Sequence, residues 1–110
     1  MSFDRSKVKP PFYANIFSYK PSKTRNGYED AGAATMAEVE QIDGFLGYET
    51  IGTEQRTLFI SYWKDLDAID RWRKNHIHKK AKSHGNEWYA AYHNMIAKVE
   101  SHSLWNPELL

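Results

Sequence analysis

The 110-residue chain contains no cysteine, which excludes disulfides, thiolate nucleophiles and zinc–sulfur sites. It also lacks a charge surplus. Fifteen Lys and Arg stand against fourteen Asp and Glu, whereas a general nucleic-acid partner demands a clear basic excess. No apolar run approaches the roughly 20 residues that span a bilayer. The opening residues, MSFDRSKVKPPF, hold no apolar stretch of a secretory leader. The expectation is therefore a cytoplasmic protein with neither a membrane nor a nucleic-acid partner. At this length one domain with a single modest core is expected.

What the chain does hold is aromatic surface: four Trp, seven Tyr and five Phe. Such residues suit sheets, interfaces and flat pockets. Residues 1–11 are polar, end in Pro10-Pro11, and read as a flexible arm. FYANIFSY (12–19) alternates as two apolar sets, with Tyr13, Asn15, Phe17 and Tyr19 on one face and Phe12, Ala14 and Ile16 on the other. That is a strand covered on both sides. After a loop over 20–27, Asn26 and Glu29 form a capping box, and Tyr28, Gly32, Met36 and Val39 follow one helical face.

GFLGYETIGT (44–53) and QRTLFISYWK (55–64) read as a hairpin of two strands. Asp65 caps a second helix whose Leu66, Ile69 and Trp72 share a buried side. Gly85 breaks it, NEWYAAY (86–92) reads as a short turn or helix, and HNMIAKVESH (93–102) as a final strand. The domain spans 12–105, and 106–110 form a tail. The order is β-α-β-β-α-β, the ferredoxin-like α+β fold, with a four-stranded antiparallel sheet and both helices on one face. Its other face is left bare and apolar, which predicts a homodimer.

GFLGYET, ISYWKDLDAIDRWR and the spacing H-x6-G-x2-WY together resemble the antibiotic biosynthesis monooxygenase (ABM) superfamily, over roughly residues 12–104. The pattern is carried by Ser61, Tyr62, Trp63, Trp72, His78, Gly85, Trp88 and Tyr89. The resemblance implies a dimeric α+β barrel, with a pocket between sheet and helices in each protomer. It implies either of two chemistries: cofactor-independent oxygenation of phenols or quinols with dioxygen, or oxidative degradation of haem. The haem branch uses an asparagine on the first strand, a tryptophan on the second helix and a histidine ten residues later. Asn15 and Trp72 occupy the first two positions, but Lys82 stands at the third, so iron would need His78 or His84.

Each candidate has two readings. An apolar strand must satisfy the Asn15 amide, either with a neighbouring polar group or with a ligand. Trp72 continues the buried face of its helix, and can equally form a wall for a flat ligand. His76 and His78 are two apart, about 200° around a helix, and cannot share a metal; no metal site is expected. His78 alone suits a general base. Tyr62 and Trp63 point to opposite faces of their strand, and the pattern does not say which of them meets the helices. The resulting reading is a monooxygenase with no cofactor, acting on a small aromatic molecule. Asn15 and His78 would be catalytic, while Tyr13, Phe17, Tyr62, Trp63, Trp72, Trp88 and Tyr89 would bind substrate. Haem degradation is one alternative and a non-catalytic dimeric binding protein the other.

Overall fold

The computed structural model describes residues 3–23, 36–74 and 88–110. Four strands form one antiparallel sheet: β1 (Phe12–Pro21), β2 (Phe45–Gly52), β3 (Thr57–Trp63) and β4 (Tyr89–Val99), in the order β2-β3-β1-β4. Helical residues 36–39 (α1) lie between β1 and β2, and α2 (Leu66–Arg73) follows β3. This is the ferredoxin-like α+β arrangement expected from the alternation of periods.

Pairing shows why β1 is apolar on both sides. It lies between β3 and β4, opposing Ser61 and Ile96 through Asn15, and Phe59 and Asn94 through Phe17. Tyr13, Asn15, Phe17 and Tyr19 face the side that carries the helices. There Trp63, Val39, Ala68, Ile69 and Trp72 form a buried cluster, edged by Tyr13, Met36, Ile42 and Phe45. Trp63 and Trp72 stack with ring centroids 5.2 Å apart, and the Trp63 indole N–H donates to Ser61 Oγ at 2.9 Å.

Asp65 caps α2 by accepting from the Ala68 amide at 2.8 Å. The buried row is Ala68, Ile69 and Trp72, whereas Leu66, expected inside, is 51% exposed. Gly44 accounts for the shift. It sits at φ +96°, and a Cβ built there would lie 2.6 Å from Ala68 Cβ. The missing side chain lets α2 settle on Ala68 at the start of β2, rotating Leu66 outward.

Strand boundaries differ from expectation: β2 and β3 are each shorter by one or two residues per end, β4 stops at Val99 rather than at 102, and two ends reach further than expected. β1 runs to Pro21, and β4 begins at Tyr89, inside the segment expected as a turn or helix. The reason is cross-strand pairing: Tyr19 opposes Tyr92, and Pro21 opposes Tyr89 across a bulge. The extra ladder hydrogen bonds and aromatic contacts outweigh the helical propensity of the two alanines.

The segment before β1 crosses the opposite sheet face. Phe3 is 8% exposed and stacks on Tyr62 with centroids 3.8 Å apart. Arg5 pairs with the Glu49 carboxylate, which also accepts from the Tyr62 hydroxyl. Burial works against the Glu49 charge, but hydrogen bonds from Tyr62 and Arg5 hold its carboxyl below the ordinary 4.5. Burial and the Glu49 hydrogen bond push Tyr62 up beyond the usual phenol range.

The signs are opposite. The Glu49 contribution to docking is present above about pH 4.5 and is lost as pH falls through its depressed value. That of Tyr62 is present below pH 10 and is lost as pH rises through its raised value. Solvent screening limits the Arg5–Glu49 share to about 1 kcal/mol or less. An NMR titration should show ring-current-shifted Phe3 signals constant from pH 7 to 5. They should move toward free-phenylalanine positions below pH 4.5. Constant shifts down to pH 3 would remove Glu49 from the docking.

Candidate active site

The helix-facing surface of the sheet divides into two zones. At the Trp63 end the side chains are closed into the core. At the other end the surface is polar and phenolic. Asn15 is only 5% exposed. Its carbonyl oxygen accepts from Asn94 Nδ2 at 3.1 Å, along a cross-strand diagonal of the β1–β4 pair. Among the described residues its two amide N–H groups meet no acceptor and remain as donors. Asn15 therefore presents hydrogen-bond donors in a low-dielectric setting, the chemistry that an accumulating oxyanion requires.

Beside it, Phe17 lies at the centre of three tyrosines. Ring centroids of Tyr19, Tyr89 and Tyr92 are 5.1, 5.2 and 5.6 Å from it, and Tyr19 and Tyr89 are 5.0 Å apart. Tyr92 is 57% exposed, so the cluster opens to solvent at one side. Trp88, 4% exposed, leads into it, and its carbonyl accepts from the Ser22 amide at 2.8 Å. On the far flank Tyr48 stacks on Phe59 at 5.5 Å.

Of the residues singled out from sequence, Asn15, Phe17 and Tyr89 meet on this surface, with Trp88 at the start of β4. Tyr13, Trp63 and Trp72 share the same side but belong to the closed core; Trp63 is 0% exposed. Tyr62 lies on the opposite face, against Phe3 and Glu49, and is separated from Asn15 by the sheet. The alternation at Tyr62 and Trp63 is thus resolved, with Trp63 toward the helices. His78 and His84 lie outside the described residues. Tyr19, Tyr92 and Asn94 were not singled out. For Tyr92 and Asn94 the signal was the period-two run Tyr92, Asn94, Ile96, which takes in Tyr92 only once β4 is begun at Tyr89.

Among the described residues no group of three or more His, Asp or Glu is arranged to hold a metal ion. No helix among them is long and apolar enough to cross a membrane.

Residues 11–83 match the sequence model of the family described as antibiotic biosynthesis monooxygenase. The chain is 35% identical over 107 residues to YqjZ, an uncharacterised protein of Bacillus subtilis, covering 96% of this chain and 94% of that one. In three dimensions it is similar to a mutant of SnoaB, a cofactor-independent oxygenase from Streptomyces nogalater. The TM-score is 0.71 at 12% identity, over 84% of this chain and 97% of that one. A protein from Nitrosomonas europaea described as a putative antibiotic biosynthesis monooxygenase gives a TM-score of 0.70 at 9% identity. It covers 84% and 93% of the two chains.

Proposed function

We infer the function from one premise: this chain belongs to the antibiotic biosynthesis monooxygenase family. It acts as a cofactor-independent monooxygenase in the cytoplasm, oxidising a small, flat, electron-rich phenol or quinol with dioxygen. Deprotonation makes the substrate anion electron-rich enough to reduce dioxygen itself. One oxygen atom becomes a product carbonyl and the other leaves as water, so the substrate supplies all the electrons.

The observation that carries this reading is the Asn15 amide. It is buried, its carbonyl is engaged by Asn94, and its N–H groups have no acceptor among the described residues. Those N–H groups hydrogen-bond the substrate oxyanion and the peroxide formed from it. Phe17, Tyr89 and Trp88 line the ring of the substrate, and His78 accepts its proton. Trp63 and Trp72 support the surface from within the core. Oxygen uptake across a panel of hydroxynaphthalenes, anthrones and hydroquinones tests the proposal, with product formed in equal amount to dioxygen consumed. No uptake above the uncatalysed rate with any of them would overturn it. A hemin titration run alongside should give no saturable Soret shift; a shift that decays on reduction in air would replace this reading with haem degradation.

The working form is a homodimer. The sheet face opposite the site carries Ile16, Ile51, Leu58, Ile60, Met95 and Val99, and on it Met95 is 42% and Ile51 75% exposed. A second copy covers that face. Light scattering should give twice the chain mass for the natural protein, and a monomer for Met95→Glu. A natural protein that elutes as a monomer at all concentrations would sink the assignment.

A further inference from the structure

We propose that Asn94 is a positioning residue that fixes which end of the Asn15 amide meets the substrate. The inference rests on the reading of Asn15 as an oxyanion donor and goes one step beyond it.

A carboxamide has nearly the same shape after a 180° flip, so packing alone barely distinguishes the orientation presenting NH2 from the one presenting C=O. The choice belongs to hydrogen bonds. Among the described residues the Asn15 side chain has one hydrogen-bond partner, Asn94. Ser61, directly opposite on β3, turns one lone pair to the Trp63 indole at 2.9 Å and makes no side-chain bond to Asn15. Asn94 donates its Nδ2 to Asn15 Oδ1 at 3.1 Å, so in this structure the carbonyl is occupied and the NH2 is presented.

Asn94 is itself held in place. It opposes Phe17 in the β1–β4 ladder, and Phe17 is clasped by Tyr89 and Tyr92 of the same strand. The tyrosine cluster therefore sets the height of β4 at the point from which Asn94 reaches across. Asn94 is itself exposed, so its amide carries little of the core. A buried group with fixed polarity, oriented by a nearly dispensable surface side chain, is a division between positioning and folding.

The test separates orientation from turnover. In the ligand-free protein, the Asn15 side-chain NH2 cross-peaks are assigned by NMR from their loss in Asn15→Ala. They are then compared in Asn94→Asp and Asn94→Leu. Asn94→Asp replaces the donor with an acceptor of the same shape. It should shift the Asn15 cross-peaks by drawing its NH2 toward the new carboxylate. Asn94→Leu removes the donor without adding charge.

Affinity for 2-hydroxy-1,4-naphthoquinone, a coloured anion of phenolate type, should fall about ten-fold in Asn94→Leu and further in Asn94→Asp. Asn94→Gln, which restores a carboxamide, should recover part of it. Unchanged Asn15 cross-peaks in both variants would overturn the positioning role, whatever the protein does catalytically. Displaced cross-peaks with unchanged probe affinity in the Asn94 variants would show a purely structural bond and overturn it too. If Asn15→Ala also binds the probe as tightly as the natural protein, it is the donor reading of Asn15 that fails.

Discussion

Asn15→Ala should lower turnover of any quinol the protein oxidises by about a hundred-fold or more, with a much smaller change in KM. Removing a single preorganised donor from a developing oxyanion typically costs two to three orders of magnitude in kcat. Asn15 meets the conditions for an effect of that size, being 5% exposed and already oriented through its carbonyl. The stability change should be small beside it, on the order of 1 kcal/mol, because the partner left behind is the exposed Asn94, whose amide water can satisfy. The check is initial-rate oxygen uptake against substrate concentration, with urea unfolding of the same preparation. A fall in kcat of three-fold or less would leave Asn15 as a packing amide. Asn15→Asp sharpens the test, since it keeps the shape, accepts from Asn94 as before, and no longer donates.

How much of this was legible in the sequence depends on the kind of signal each residue carried. β1 announced both its faces, because strict alternation over FYANIFSY survives any choice of neighbours, and Asn15 stood out against it. The α2 cap at Asp65 was equally local. The length of β4 was not, since Tyr89 to Tyr92 become strand through pairing with Tyr19 and Pro21, about seventy residues away. Asn94 was missed for the same reason: its role exists only across the ladder. The face of Tyr62 was likewise undecidable from alternation, which separates two sets without saying which set meets the helices. Leu66 misled because a heptad-like row ignores Gly44, whose missing side chain sets how α2 rolls on the sheet.

The opposite sheet face illustrates a related limit. The polar composition of residues 1–11 gives no hint that Phe3 stacks on Tyr62, because that contact needs a bare apolar face for the ring to land on. The same bareness predicts the dimer. Phe3 covers the Tyr62 end, while Ile51 and Met95 remain exposed further along. In the proposed dimer the second copy would meet the end of this face that Phe3 leaves uncovered.

Trp63→Ala should be the most destabilising single change, costing about 3–5 kcal/mol out of the roughly 5–15 kcal/mol a domain of this kind holds. The ring is 0% exposed and packs on Trp72 and Phe45 at 5.2 Å each. Its loss leaves a cavity in a cluster that joins β3 to α2, with Ser61 Oγ stripped of its indole donor. Neighbours cannot close the gap cheaply, because Gly44 already holds α2 at its closest approach. The expected result is a large drop in the urea midpoint, or failure to accumulate as folded protein. Trp63→Phe keeps most of the volume and should cost less, isolating the cavity from the lost hydrogen bond. Its turnover per folded molecule should stay within a few-fold of the natural protein. The sequence pattern alone makes Trp63 a candidate substrate wall, and the two readings part here. A core residue takes stability with it and leaves kcat in place. A wall residue raises KM in Trp63→Phe while the urea midpoint holds.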